Sequence, residues 1–221
     1  DMTSDSDNLL DVPTPYGTDT GRGGEMRGNY CTWNPLVVDS NGFNVLSEGN
    51  LVANHNSGGW DGNVSSPNGA QIVGTIGVSS GKYYWEYQQT AGGAVSFGIT
   101  NSAVGTQYYP GYENSVGYAS TQVYNGGYPG TNISSMPTIA VGDIIGVALD
   151  MDTGKVYFSK NGVFINSGDP VGGTGECGSG MIGQTMFPAV AQVGSTDTYT
   201  LRVNFGQRPF VHPAPDGYLT L

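Results

Sequence analysis

The stretch VGDIIGVALDMDTGKVYFSKNGVF, residues 141–164, decides the fold. Asn161 and Gly162 stand between two strand-like runs, KVYFS and VFINS. Asn-Gly suits a two-residue hairpin turn, because both central residues must take positive φ. DMDTGK supplies a second turn just upstream, after IIGVAL, so residues 144–167 read as a three-strand antiparallel meander. The same pattern extends outward. In KYYWEYQ, Tyr83, Trp85 and Tyr87 face one way while Tyr84, Glu86 and Gln88 face the other. Val95, Phe97 and Ile99 share a face of AVSFGIT, and in YTLRVNF the residues Tyr199, Leu201, Val203 and Phe205 alternate with Thr200, Arg202 and Asn204. A period of two predicts half-buried antiparallel strands, and no window carries apolar residues at helical spacing over three turns. Helix formers are scarce, with three Lys and five Glu, and the 37 glycines far exceed ordinary usage. Many short strands joined by Gly-rich turns predict an all-β, two-sheet sandwich.

The 221 residues are enough for one large β domain or two small ones, with a real core. No apolar run approaches 18 residues, so no membrane insertion is expected, and no signal peptide is visible. The chain starts at Asp1 rather than Met, which reads as processing or as excision from something longer. Seven Lys and Arg stand against 18 Asp and Glu, a formal charge of −11. That balance argues against nucleic acid, whose binding needs cations to displace counterions, and against anionic membrane surfaces. Residues 1–29 are acidic and rich in Gly, Asp and Thr, and read as a linker or extended strap; residues 30–221 read as the sandwich. GGTGECGSGMIGQ, residues 172–184, reads as a flexible loop. Cys31 and Cys177 leave a disulfide and two free thiols both open.

Four blocks resemble the SPRY (B30.2-like) domain: SGKYYWEYQ at 80–88, VSFGIT at 95–100, residues 141–164, and MFPAVAQVG at 186–194 followed by LRVNFGQRPF at 201–210. They stand in the family's order. The resemblance implies a concanavalin-like antiparallel β-sandwich with ligand loops at one rim. By the same resemblance Tyr118, and with it Tyr124, packs the sandwich. A narrower resemblance joins GTDTGRGGEMRGNYCTWNPL, LSEGNL and NFGQRPFVHPAPDGYLTL to SPRY-type domains in structural proteins of tailed bacteriophages. It implies a virion or extracellular location, with other virion proteins or a host-surface glycan or protein as partners, and homo-oligomerisation through the parent assembly. The alternatives are a purely structural virion docking domain and a cellular SPRY adaptor that binds a peptide.

Catalytic chemistry is hard to find. Concanavalin-like folds also carry glucanases, but their Glu-x-Asp-x-x-Glu pattern is absent, and Asp150 and Asp152 fall in a turn where Asp commonly caps its own backbone. DMDTG lacks the later ligands of a calcium loop. His55 and His212 lack metal-ligand spacing, and Cys177 has no basic neighbour to activate it. No catalytic residue, metal or cofactor is expected. Recognition surface is easier to find. Residues 108–130 hold six of the fourteen tyrosines and a single charge, Glu113. Tyr108, Tyr109, Tyr112 and Tyr128 lie beside Pro and Gly and read as loop contacts, since tyrosine gives large contact area at low rotamer cost. Trp60, with Asp61, sits among glycines; it reads either as an anchor at a binding surface or as a cover for the sandwich edge. Trp33 and Trp85 read as core, with Trp33 opening the first strand.

Overall fold

A computed structural model describes residues 29–37, 44–55, 71–103, 109–112, 114–126, 132–193 and 198–221. All but the last residue of the strap at 1–29 therefore lies outside the described residues. The described strands are β1 (Asn44–Ser47), β2 (Val52–His55), β3 (Ile72–Val73), β4 (Lys82–Gly92), β5 (Val95–Thr100) and β6 (Ser115–Ala119). They continue with β7 (Gln122–Gly126), β8 (Ile144–Asp150), β9 (Lys155–Lys160), β10 (Val163–Phe164), β11 (Phe187–Gln192) and β12 (Tyr199–Asn204). One 3-10 turn, Pro35–Val37, is the only helical element among them, and no described helix is long and apolar enough to cross a membrane. Seven strands form one antiparallel sheet in the order β1-β2-β12-β4-β8-β9-β10, and five form the second in the order β3-β11-β5-β6-β7.

The meander of residues 144–167 stands as β8, β9 and β10, and Asn161 and Gly162 at its second turn have φ of 50° and 81°. Residues paired directly across a sheet share a face. Trp85 opposes Val147, which opposes Phe158, and Tyr87 lies between Val203 and Ile145. These rows point inward and meet Phe97, Ile99, Val116 and Tyr118 of the second sheet in one buried core. Trp33 stacks on Tyr87 with ring centroids 6.0 Å apart and meets Phe205 edge-on at 5.7 Å. Trp33 is core, as its sequence context suggested, but it forms an isolated bridge to Gly74 rather than opening a strand.

The outer face of the seven-stranded sheet departs from the half-buried expectation. Its rows run Tyr84, Ala148, Tyr157 and, one step along, Asn204, Glu86, Gly146, Ser159. After β12 the chain turns back over these rows. Phe210 packs edge-on against Tyr84 at 5.0 Å, Tyr218 donates to the Pro170 carbonyl, and Leu219 bridges Tyr83. The tail closes on itself and on the segment at Cys31, with Leu221 N–H donating to Phe205 O and Cys31 N–H to Leu221 O, both at 2.9 Å. Tyr84 and Glu86 are thus buried from both sides, with Glu86 3% exposed. The loop at 172–184 is also packed: Cys177 and Met181 are buried, and Gly178 bridges Val156. Cys31 and Cys177 are free thiols. Burial pushes Cys31 up to about 11 and Cys177 up to about 12, so both stay protonated near neutral pH and are poor nucleophiles.

Candidate interaction surface

On the outer face of the five-stranded sheet the outward positions are small. Ser96 and Gly98 of β5 lie opposite Ala119 and Gly117 of β6, and Ala191 and Ala189 of β11 complete the two rows. Residues 110–112 cross this shallow floor. Pro110 O accepts from Ser96 Oγ at 2.7 Å, Gly111 N–H donates to Ser115 Oγ at 2.8 Å, and Ser115 Oγ in turn donates to Tyr112 O. The glycines permit the approach. A Cβ at Gly117 would lie 2.0 Å from Pro110 O, and one at Gly126 would lie 2.4 Å from Tyr112 Cα. Glycine in a strand often marks such a close backbone approach.

This seating gathers three tyrosines. Tyr109 meets Tyr112 edge-on at 5.0 Å and Tyr124 at 5.8 Å, both near-perpendicular arrangements favoured by aromatic quadrupoles. Tyr109 is half-buried; burial first, then the neighbouring Tyr112 and Tyr124, push its phenol well above the ordinary value, so it remains a neutral hydrogen-bonding group. Tyr112 is 36% exposed. Of the six residues expected to bind ligand, Tyr109 and Tyr112 are brought together. Trp60, Asp61, Tyr108 and Tyr128 lie outside the described residues. The sequence reading missed Tyr124, assigning it to the interior with Tyr118; only Tyr118 is in the core. Alternation was the available signal, because Val123 points inward opposite Tyr118 and so places Tyr124 outward, opposite Gly117.

The acids of the turns and the tail-covered face are occupied by structure. Asp150 Oδ1 accepts from the N–H groups of Asp152 and Thr153, and Oδ2 lies 3.0 Å from Lys82 Nζ. Asp152 accepts from Gly81 N–H, and Asp143 takes Asn161, Lys160 and Ala140 N–H. Glu86 takes the backbone N–H groups of Val211 and His212, both at 2.8 Å, and the Tyr84 hydroxyl. His55 stacks on Tyr199. Among the described residues no three His, Cys, Asp or Glu side chains gather into a metal site.

The Asp150 pairing sets a pH dependence. Burial alone would raise its pKa, but Lys82 and the Thr153 hydrogen bonds outweigh it, and the net shift is downward from 3.8. A carboxyl with a depressed folded value stabilises above its unfolded pKa and loses that contribution as pH falls through the folded one. Stability should therefore fall below about pH 4. Acid titration of the melting temperature should show Asp150→Asn less stable than wild type at neutral pH, with a flatter acid limb.

The family comparison follows the same strands. The model for the SPRY domain matches residues 82–208, from the first residue of β4 to just past β12. This chain belongs to the SPRY domain family. SPRY domains generally serve as protein-interaction modules rather than enzymes. Protein ssh4 of Sclerotinia sclerotiorum is 32% identical to the SPRY chain over 135 residues, covering 58% of this chain and 23% of that protein. Protein ssh4 of Neosartorya fischeri is 33% identical over 135 residues, covering 58% and 24%. The chain thus spans about a quarter of the length of these fungal relatives. Among solved structures, the SPRY domain of human HERC1 superposes with a TM-score of 0.53 at 18% identity, covering 78% of this chain and 96% of that one. The TRIM65 PSpry domain gives 0.55 at 15% identity, covering 79% and 91%. Both share the fold. The sequence relatives are fungal, so the bacteriophage context implied by the flanking phrases gains no support from them.

Proposed function

We propose that this SPRY domain is a non-catalytic recognition module that receives a peptide segment of a partner protein on the surface formed by Tyr109, Tyr112 and Tyr124. The observation that carries the reading is the tyrosine cluster itself. Tyr109 is held edge-to-face against both Tyr112 and Tyr124 of β7, and the backbone at 110–112 beside it is pinned by Ser96 and Ser115, so the surface is ordered before a partner arrives. Preorganised aromatic anchors lower the entropy lost on binding. The fungal relatives and the family's general role support a cellular peptide-binding adaptor over a glycan-binding virion part. A virion location does not enter the proposal.

A peptide-display selection on the full chain tests this. A selected peptide should bind wild type and lose roughly tenfold or more in affinity to Tyr112→Ala, the size of an anchor residue's contribution. Tyr112 is exposed, so the variant should keep its melting temperature. If selected peptides bind both proteins equally, or if only a glycan array yields ligands, the reading fails.

A further inference from the structure

A second surface lies on the opposite side of the sandwich. Where the tail leaves β12 and folds back, it encloses a cleft of about 200 Å³ against the outer face of the seven-stranded sheet. One wall is the outward row Arg202, Gln88, Ile144, and the other is the returning tail at Pro209 and Val211. Arg208 stands at the turn between them.

The charge pattern singles this cleft out. The chain carries −11, and five of its seven Lys and Arg lie in described residues. Four of the five are matched to a carboxylate: Lys82 to Asp150, Lys155 to Glu176, Lys160 to Asp143, and Arg202 to Glu48. Among the described residues Arg208 has no such carboxylate: its exposed guanidinium makes one long contact, 3.5 Å to the Val203 carbonyl. Among the described residues, then, one of five cations is left without a carboxylate, in a cleft that Arg202 also lines. The Arg202 pairing with Glu48 is exposed on both sides and so holds Arg202 only weakly in place. Glu86, at the cleft floor, is turned to the tail: both its oxygens accept backbone N–H groups from Val211 and His212. Beside the two guanidinium groups stands an apolar edge, with Val211 65% exposed.

We propose that this cleft binds an acidic peptide segment of a partner protein, one Asp or Glu carboxylate seated bidentately on Arg208 and an adjacent aliphatic side chain on Val211. A planar guanidinium fork matches a carboxylate geometrically as well as electrostatically. The site stands apart from the tyrosine surface, on the other sheet, and does not depend on it.

The probe is an array of individual heptapeptides, each with a central Glu flanked by aliphatic residues, beside its twin carrying Gln. Binding to the full 221-residue chain is followed by fluorescence polarisation at low and high salt. A subset of Glu peptides should bind roughly tenfold more tightly than their Gln twins, with the gap narrowing as salt rises. Arg208→Gln should erase the gap while keeping the wild-type melting temperature, because its side chain is exposed. Arg208→Glu should reverse the preference. Tyr112→Ala should leave the gap unchanged, so failure here and failure of the tyrosine surface are separate results. Equal binding of twins, no binding of either, or a gap that survives Arg208→Gln overturns the proposal. Displacement of the Glu peptides by inorganic phosphate at comparable concentration would mark a phosphate site instead and also overturn it.

Discussion

Glu86→Ala should cost about 3 kcal/mol or more and free the C-terminal tail. The residue sits under the tail with both oxygens committed, to Val211 N–H, to His212 N–H and to the Tyr84 hydroxyl. Removing the side chain takes the acceptor from two part-buried backbone donors, each hydrogen bond to a charged group being worth about 1.5–3 kcal/mol, and opens a void under the tail. For a chain of this size that corresponds to a fall of roughly 6–12 °C in melting temperature. The effect should be local before it is global. Limited proteolysis should cut the variant within 205–221 under conditions that leave wild type whole. Hydrogen exchange should accelerate first at the amides of Val211, His212 and Leu219. Glu86→Gln keeps one acceptor oxygen and should recover part of the loss. A variant with wild-type melting temperature and an uncut tail would mean that the small outer cluster of Tyr84, Tyr157, Tyr218 and Phe210 holds the tail without Glu86.

The burial of Glu86 also marks where sequence reasoning stops. Strand alternation correctly separated Trp85 and Tyr87 from Tyr84, Glu86 and Gln88, because side-chain period is a local property of the backbone. Alternation could say which face Glu86 occupies. It could not say that residues 205–221 return across that face, because this contact joins positions 125 residues apart. The meander was legible for the opposite reason: Asn161, Gly162 and the Asp150 turn encode their conformations within a few residues. Residues 172–184 show the cost of reading glycine as flexibility. Their glycines let the chain dip close enough to bury Cys177 and Met181. Tyr124 was misassigned although the pattern was available, since its inward neighbour Val123 already filled the core position. Arg208 carried no local signal, because its significance lies in the carboxylates that pair elsewhere.

Gly117→Ala should weaken binding at the tyrosine surface roughly tenfold or more without touching a tyrosine. The added Cβ would sit 2.0 Å from Pro110 O and 2.5 Å from Pro110 C. These are backbone atoms, so no side-chain rotation relieves the overlap, and the whole 110–112 segment must lift. Lifting it breaks the Ser96 and Ser115 anchors and separates Tyr109 and Tyr112 from Tyr124. The stability cost should be about 1–3 kcal/mol, typical of overpacking, because the main core beneath the sheet is untouched. Peptides that depend on Tyr112 should lose as much affinity as they do to Tyr112→Ala, and the amide of Gly111 should exchange far faster. Ser115→Ala removes one anchor without adding bulk and should fall between wild type and Gly117→Ala on both measures. A Gly117→Ala protein that binds such peptides normally, with a protected Gly111 amide, would show that this glycine row does not seat the segment. The tyrosine cluster would then owe its order to something other than the small-residue floor of the five-stranded sheet.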